Sequence, residues 1–122
     1  MRNFKELKIW QKGFKISINN FRITETFPAN ERFGLTSQIN RAGVSIPSNI
    51  AEGSSRTSRK EYNHYIEIAL GSCFELETQL LIAKELKYGN QVLLTETLAE
   101  ITEEEKMLTA FSNTLTRGTN SL

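Results

Sequence analysis

Residues 41–60 read "RAGVSIPSNIAEGSSRTSRK", and the fold turns on whether this stretch is a linker, a phosphate loop or a helix carrying polar residues for a purpose. Apolar residues at Leu35, Ile39, Ala42, Ile46 and Ile50 recur at three- and four-residue steps, the spacing of one helical face. That pattern runs straight through Pro47. Proline inside a helix removes one hydrogen bond and collides with the carbonyl four residues back, here Gly43, so the spacing predicts a helix over about 31–53 that kinks at Pro47 without ending. Arg41, Ser45, Ser48 and Glu52 follow at four-, three- and four-residue steps on a stripe beside the apolar one, with Asn49 on its flank. They are expected to form a polar network with Pro47 at its centre. Arg41 would pair with Glu52 across the bend, and hydroxyls would satisfy freed carbonyls. "GSSRTSRKE" then breaks the pattern, and Ser58 with Glu61 forms an S-x-x-E capping box that starts the next helix.

Working outward, the third helix repeats Tyr62, Ile66, Ala69, Cys73, Leu76, Leu80 and Ala83 almost as a heptad seam, with the small residues of "ALGSC" at 69–73 suited to close helix approach. "KYGNQ" stops it, with Gly89 suited to a left-handed position. A fourth helix over about 91–117 carries Leu94, Leu98, Ile101, Leu108, Phe111 and Leu115, and "TNSL", residues 119–122, reads as a frayed tail. The first helix, about 4–26, places Phe4, Leu7, Trp10, Phe14, Ile18 and Phe21 on one side, which reads as its core face. Pro28 ends it, and Asn30 can cap the next helix. Four helices with short connections predict an all-α, up-down-up-down antiparallel four-helix bundle, one domain over 1–118.

The 122 residues hold one cysteine, so no intramolecular disulfide is possible, and no apolar stretch has the length of a membrane span or signal peptide. A cytoplasmic protein is the expectation. Net charge is +1, but it is unevenly divided. Residues 1–60 hold 11 Lys+Arg and 4 Glu (+7), and residues 61–122 hold 4 Lys+Arg and 10 Glu (−6). Such asymmetry suits either a polyanion-facing surface or two halves that attract each other within a bundle.

Enzyme chemistry finds little footing. A phosphate loop needs closely spaced glycines after a strand, and "IAEGSSRTSRKEY" has one glycine and no strand before it. Glu61 and His64 have the E-x-x-H spacing of di-iron bundles, but His64 is the sole histidine, so no second imidazole exists. Cys73 sits on an apolar stripe where thiols are inert. No catalytic residue, metal or cofactor is expected.

Two features of the first helix point to binding. Ile9, Ile16 and Ile23 recur every seven residues on the side opposite Leu7, and a helix apolar on two faces is in contact on both, which suggests a homo-oligomer interface. Between the stripes, Lys5, Lys8, Lys12 and Lys15 continue into Arg22 as a basic ridge without interleaved glutamates. With Arg56, Arg59 and Lys60 in the turn at 54–60, these are candidate contacts to RNA or DNA. No base-reading motif is present, so such contacts would be directed to the backbone and weakly sequence-selective.

The run "QINRAGVSIPSNIAEGSSRTSRKEYNHYIEIALGSCFELETQL", residues 38–80, together with "FKELKIWQKG" at 4–13, resembles the bacterial four-helix-bundle proteins encoded in intervening sequences of 23S ribosomal RNA genes. That resemblance implies a bundle that assembles into a symmetric ring, commonly a pentamer. It also implies kinship with the accessory protein of diversity-generating retroelements, a basic barrel that binds nucleic acid and a reverse transcriptase, and it implies no enzymatic activity. Two functions follow as expectations: a nucleic-acid-binding ring, or a scaffold that docks a protein partner and uses its charge asymmetry for assembly.

Overall fold

The computed structural model describes residues 3–120, and its secondary structure there is helical throughout. A short 3-10 turn, Phe4–Glu6, is capped by the Asn3 carboxamide, which accepts from the Lys5 amide at 3.2 Å. Leu7 then adopts extended backbone, and α1 begins at Lys8 and runs to Thr24. A second 3-10 turn, Ala29–Glu31, follows Pro28, and α2 spans Leu35–Ser54. Asn30 lies inside that turn and does not cap α2. Instead the Glu31 carboxylate accepts from the Leu35 amide at 3.2 Å. The Ser58 cap forms as its sequence predicts, accepting from the Glu61 amide at 3.1 Å, and α3 spans Arg59–Glu85. The last helix, α4, is Gln91–Asn120 and passes the Arg117-Gly118 stop expected from sequence. Of the expected tail, Ser121 and Leu122 lie outside the described residues.

Neighbouring helices run antiparallel, because their contacts pair rising with falling residue numbers. Thr24 bonds Asn40 while Gly13 packs on Ile46. Ser45 bonds Ser72 at 2.8 Å while Gly53 packs on Tyr62. Arg59 reaches Thr114 while Tyr62 meets Phe111. Helix α1 touches α2 and α4, and α3 touches α2 and α4, but α1 and α3 do not meet. They are diagonal.

The core is one continuous cluster: Ile39, Ala42, Ile46 and Ile50 of α2, the full predicted stripe of α3, and Leu94, Ile101, Leu108 and Leu115 of α4. Helix α1 reverses the sequence reading. Ile9, Ile16 and Ile23 are 5%, 0% and 0% exposed and face inward, so they are core residues and not a subunit interface. Phe14, Ile18 and Phe21, read as core, are 42%, 39% and 50% exposed, while Leu7 and Trp10 pack on the cluster's margin. The reason is fit. The isoleucine face also carries Gly13 and Asn20, and a Cβ on Gly13 would lie 3.0 Å from Ile46 and 3.5 Å from the Pro47 nitrogen. A missing side chain on α1 thus meets a missing N–H on α2, and the backbones approach closely. Gly43 leaves room for the Asn20 carboxamide in the same way. The small residues of "ALGSC" do not all serve such an approach, since Gly71 faces open space.

Candidate nucleic-acid interface

Antiparallel packing gathers the N-termini of α1 and α3 and the C-termini of α2 and α4 at one end of the bundle. Lys5, Lys8, Arg59, Lys60 and Arg117 are exposed there. Thus the two basic surfaces read separately from sequence, the start of the first helix and the 54–60 turn, share one pole. A shallow cleft lined by Asn3, Glu6, Leu7, Arg59, Tyr62, Phe111 and Leu115 joins the N-terminal turn to α3 and α4. A second, of about 340 Å³, lies between the first turns of α3 and the last of α4. Arg59, Lys60 and His64 line it, and its floor is fixed by the buried Asn63. Asn63 donates to Glu67 at 2.7 Å and accepts from Ser112 at 2.6 Å. Arg59 also donates to the Thr114 carbonyl at 3.4 Å.

Not every predicted cation is available. Lys12 pairs with Glu103 at 3.4 Å and Lys15 with Glu100 at 3.0 Å, so the middle of the ridge is neutralised by α4. The ridge looked unpaired because its partners are 91 and 85 residues away in sequence. Arg22 is exposed but stands at the opposite end of α1 from Lys5. Arg56 grips Glu52 and the Tyr65 hydroxyl, each at 2.9 Å, and its guanidinium lies 5.0 Å from the Tyr65 ring centre.

The polar network around Pro47 takes a different form from the expected one. Helix α2 continues through a buried Pro47. Asn49 donates to the Ser45 carbonyl and hydroxyl at 2.8 and 2.9 Å, and Ser45 passes the chain to Ser72 of α3. Arg41 and Ser48 are exposed, and Glu52 pairs with Arg56 one turn on rather than with Arg41, because the stripe turns outward at both ends.

The most unusual group lies inside the bundle, on α4. Glu104 is fully buried on α4, and neither carboxylate oxygen has a hydrogen-bond partner. Burial, opposed by Lys12, pushes its pKa up to about 8. Burial and the neighbouring Glu77 carboxyl push Glu105 up to about 7. Burial, then Glu104 and Glu105, raise the Cys73 thiol far above its ordinary range, so the thiol stays protonated. Within the run "EEE" at 103–105, residue type does not mark the middle carboxylate as buried. The signal lay in Leu94, Ile101, Leu108 and Leu115, whose seven-residue step puts 104 inward. Glu61 and His64 remain exposed on the first turn of α3, and among the described residues no three His, Cys, Asp or Glu side chains converge to hold a metal.

The model of the family described as 23S rRNA-intervening sequence protein matches residues 5–110. The chain belongs to that family. A solved structure from Bacteroides thetaiotaomicron, a protein of unknown function from the S23 ribosomal protein family, is 25% identical. The similarity covers 85% of this chain and 97% of that one, with a TM-score of 0.77. No curated protein matches. The family match spans nearly all of the N-terminal turn, α1, α2, α3 and most of α4, so Lys5, Lys8, Arg59, Lys60 and the core polar groups lie within it, and Arg117 lies beyond it. No helix among the described residues is long and apolar enough to cross a membrane.

Proposed function

We propose that this protein is a non-catalytic, homo-oligomeric helical bundle, a ring such as a pentamer, that binds RNA or DNA in the cytoplasm through backbone contacts. The observation that carries the reading is the convergence of Lys5, Lys8, Arg59, Lys60 and Arg117 on one end of the bundle. The N-termini of α1 and α3 at this end are offset by the C-termini of α2 and α4, so its positive potential comes from these side chains, which outnumber the exposed Glu6 and Glu61 beside them. In a ring the pole is repeated by symmetry, so a chain of net charge +1 presents a concentrated cationic rim. The wild-type chain is expected to bind single- or double-stranded nucleic acid with little sequence preference, and to lose affinity steeply between about 50 and 200 mM salt. Arg59→Glu/Lys60→Glu should weaken binding at every sequence tried, while Arg22→Glu, at the far end, should matter less. No binding to any RNA or DNA at about 50 mM salt overturns the reading. A protein-docking scaffold is the second reading, favoured by the internal neutralisation of Lys12 and Lys15.

A further inference from the structure

A third cleft, of about 490 Å³, lies at the basic pole on the α2 side of α3, lined by Arg56, Ser58, Lys60, Glu61, His64 and Tyr65. Lys60 and His64 also line the 340 Å³ cleft on the α4 side. One helical turn apart and both exposed, they form the wall between the two.

Each cleft pairs a flat or apolar surface with one carboxylate. On the α2 side the Arg56 guanidinium lies over the Tyr65 ring, and its bonds to the Tyr65 hydroxyl and to Glu52 hold it there. The His64 ring meets Tyr65 edge to face, with centres 5.5 Å apart and planes at 74°. On the α4 side the apolar surface is the buried Leu115. The carboxylates are Glu61 in the α2-side cleft and Glu67, steadied by Asn63, in the other. A carboxylate repels a phosphate but accepts hydrogen bonds from the amino groups of a nucleobase. The wall has the opposite character, since Lys60 makes no ion pair among the described residues. Phosphate therefore suits the wall, and bases suit the clefts.

We propose that one dinucleotide step of an unpaired strand straddles this wall, with its phosphate on Lys60 and one base in each cleft. One base lies against His64 and the Arg56 guanidinium, and the other against His64 and Leu115. The proposal rests on the nucleic-acid reading above and names its substrate class, single-stranded RNA or DNA. Bases held by their faces are gripped with little regard to sequence, because every base has a π-face. A duplex keeps its base faces stacked and its edges paired, so neither can enter a cleft. It meets only the exposed cations and binds through them alone.

The test uses the full-length chain and fluorescence anisotropy at about 50 mM salt. A labelled strand of about 12 nucleotides is offered unpaired, paired with its complement, and with abasic sites in place of its bases. The abasic strand keeps every phosphate and loses only the faces. The intact unpaired strand is expected to bind about tenfold tighter than either of the others, the scale of one base stack. His64→Ala, at an exposed position that leaves helical circular dichroism unchanged, should lower its affinity for the unpaired strand about tenfold and leave the duplex as it was. His64→Phe should restore the preference, and His64→Lys, which supplies charge without a ring, should not. Equal affinity for the intact and abasic strands, a duplex bound as tightly as the single strand, or rescue by His64→Lys overturns the proposal and leaves backbone-directed nucleic-acid binding standing. Absence of binding to all three ligands removes the proposed function and this site together.

Discussion

Helices α1 and α3 occupy opposite corners of the same bundle and bury their inner faces by different means. Helix α3 presents an almost unbroken row from Tyr62 to Ala83, broad enough to serve both of its neighbours. Helix α1 buries only three isoleucines, separated by Gly13, Ser17 and Asn20, and leaves its larger aromatic residues outside. The inner face of α1 is thus the less apolar of its two. Burial goes to the face that the opposite helix fits, and apolar content alone does not choose it.

The sharpest way to break that comparison is to truncate one residue on each face of α1. Ile16→Ala empties a fully buried site and is expected to cost about 3 kcal/mol, read as a shift of the urea midpoint. Phe21→Ala removes a larger but half-exposed ring and should cost under about 1 kcal/mol in the monomer. The reverse order would show that the aromatic stripe is the true core.

Legibility from sequence follows the same division. Where one helix carries one apolar face, as in α2 and α3, periodicity identified the buried residues, and the Ser58 cap and the number of helices were equally plain. Where a helix carries two, as in α1, periodicity found both and had no means of ranking them. Gly13 opposite Pro47 and Asn20 opposite Gly43 hold the missing information, and both are relations between helices. The site is divided likewise. Lys5, Lys8, Arg59 and Lys60 were recognisable as cations, but their gathering at one pole needed the antiparallel packing. The pairing of Lys12 and Lys15 with α4, and of Glu52 with Arg56, was hidden by distance or by a competing partner.

Glu104 extends the comparison to α4, whose inner face holds a group that would be expected outside. Its carboxyl titrates near 4.5 when unfolded and is pushed up to about 8 in the fold, so the folded state holds a proton that the unfolded state has lost over that window. Stability should therefore be greatest at the acidic end of the window, fall as pH rises through it, and level off above about 8. Lys12 softens the effect, and Glu105, raised to about 7, adds to it with the same sign. The loss from pH 5 to 9 is expected to be on the order of 4 kcal/mol from Glu104 alone, about three pKa units at roughly 1.4 kcal/mol each. Glu104→Gln should flatten most of it. Denaturation midpoints that do not change over this range in the wild type would mean that the carboxyl has a partner or water access.

The close approach of α1 to α2 can be tested at Gly43, where an added Cβ would collide with the Asn20 carboxamide. Gly43→Ala is expected to cost about 2 kcal/mol, as overpacking of a filled site does. Since Asn20 is buried with neither amide atom partnered, Asn20→Ala removes the obstacle and an unsatisfied group together. The double variant should then lose less than the sum of the two single ones. Additive losses would place the strain of Gly43→Ala elsewhere.

The smallest expected change lies where α3 ends. The Tyr88 amide donates to Ala83 at 2.9 Å and the Lys87 amide to Lys84 at 3.0 Å, the paired bonds of a Schellman close. Its left-handed position falls on Lys87, with φ of 60°, although Gly89, with φ of 78°, is the residue whose type advertises that conformation. A lysine pays about 1 kcal/mol for its Cβ in this region, and glycine does not. Lys87 is exposed and has no role in the core, so Lys87→Gly should raise stability by about 0.5 kcal/mol after allowing for the freer unfolded chain. A loss instead would mean that the Lys87 side chain steadies the last carbonyls of α3 by more than its backbone strain costs.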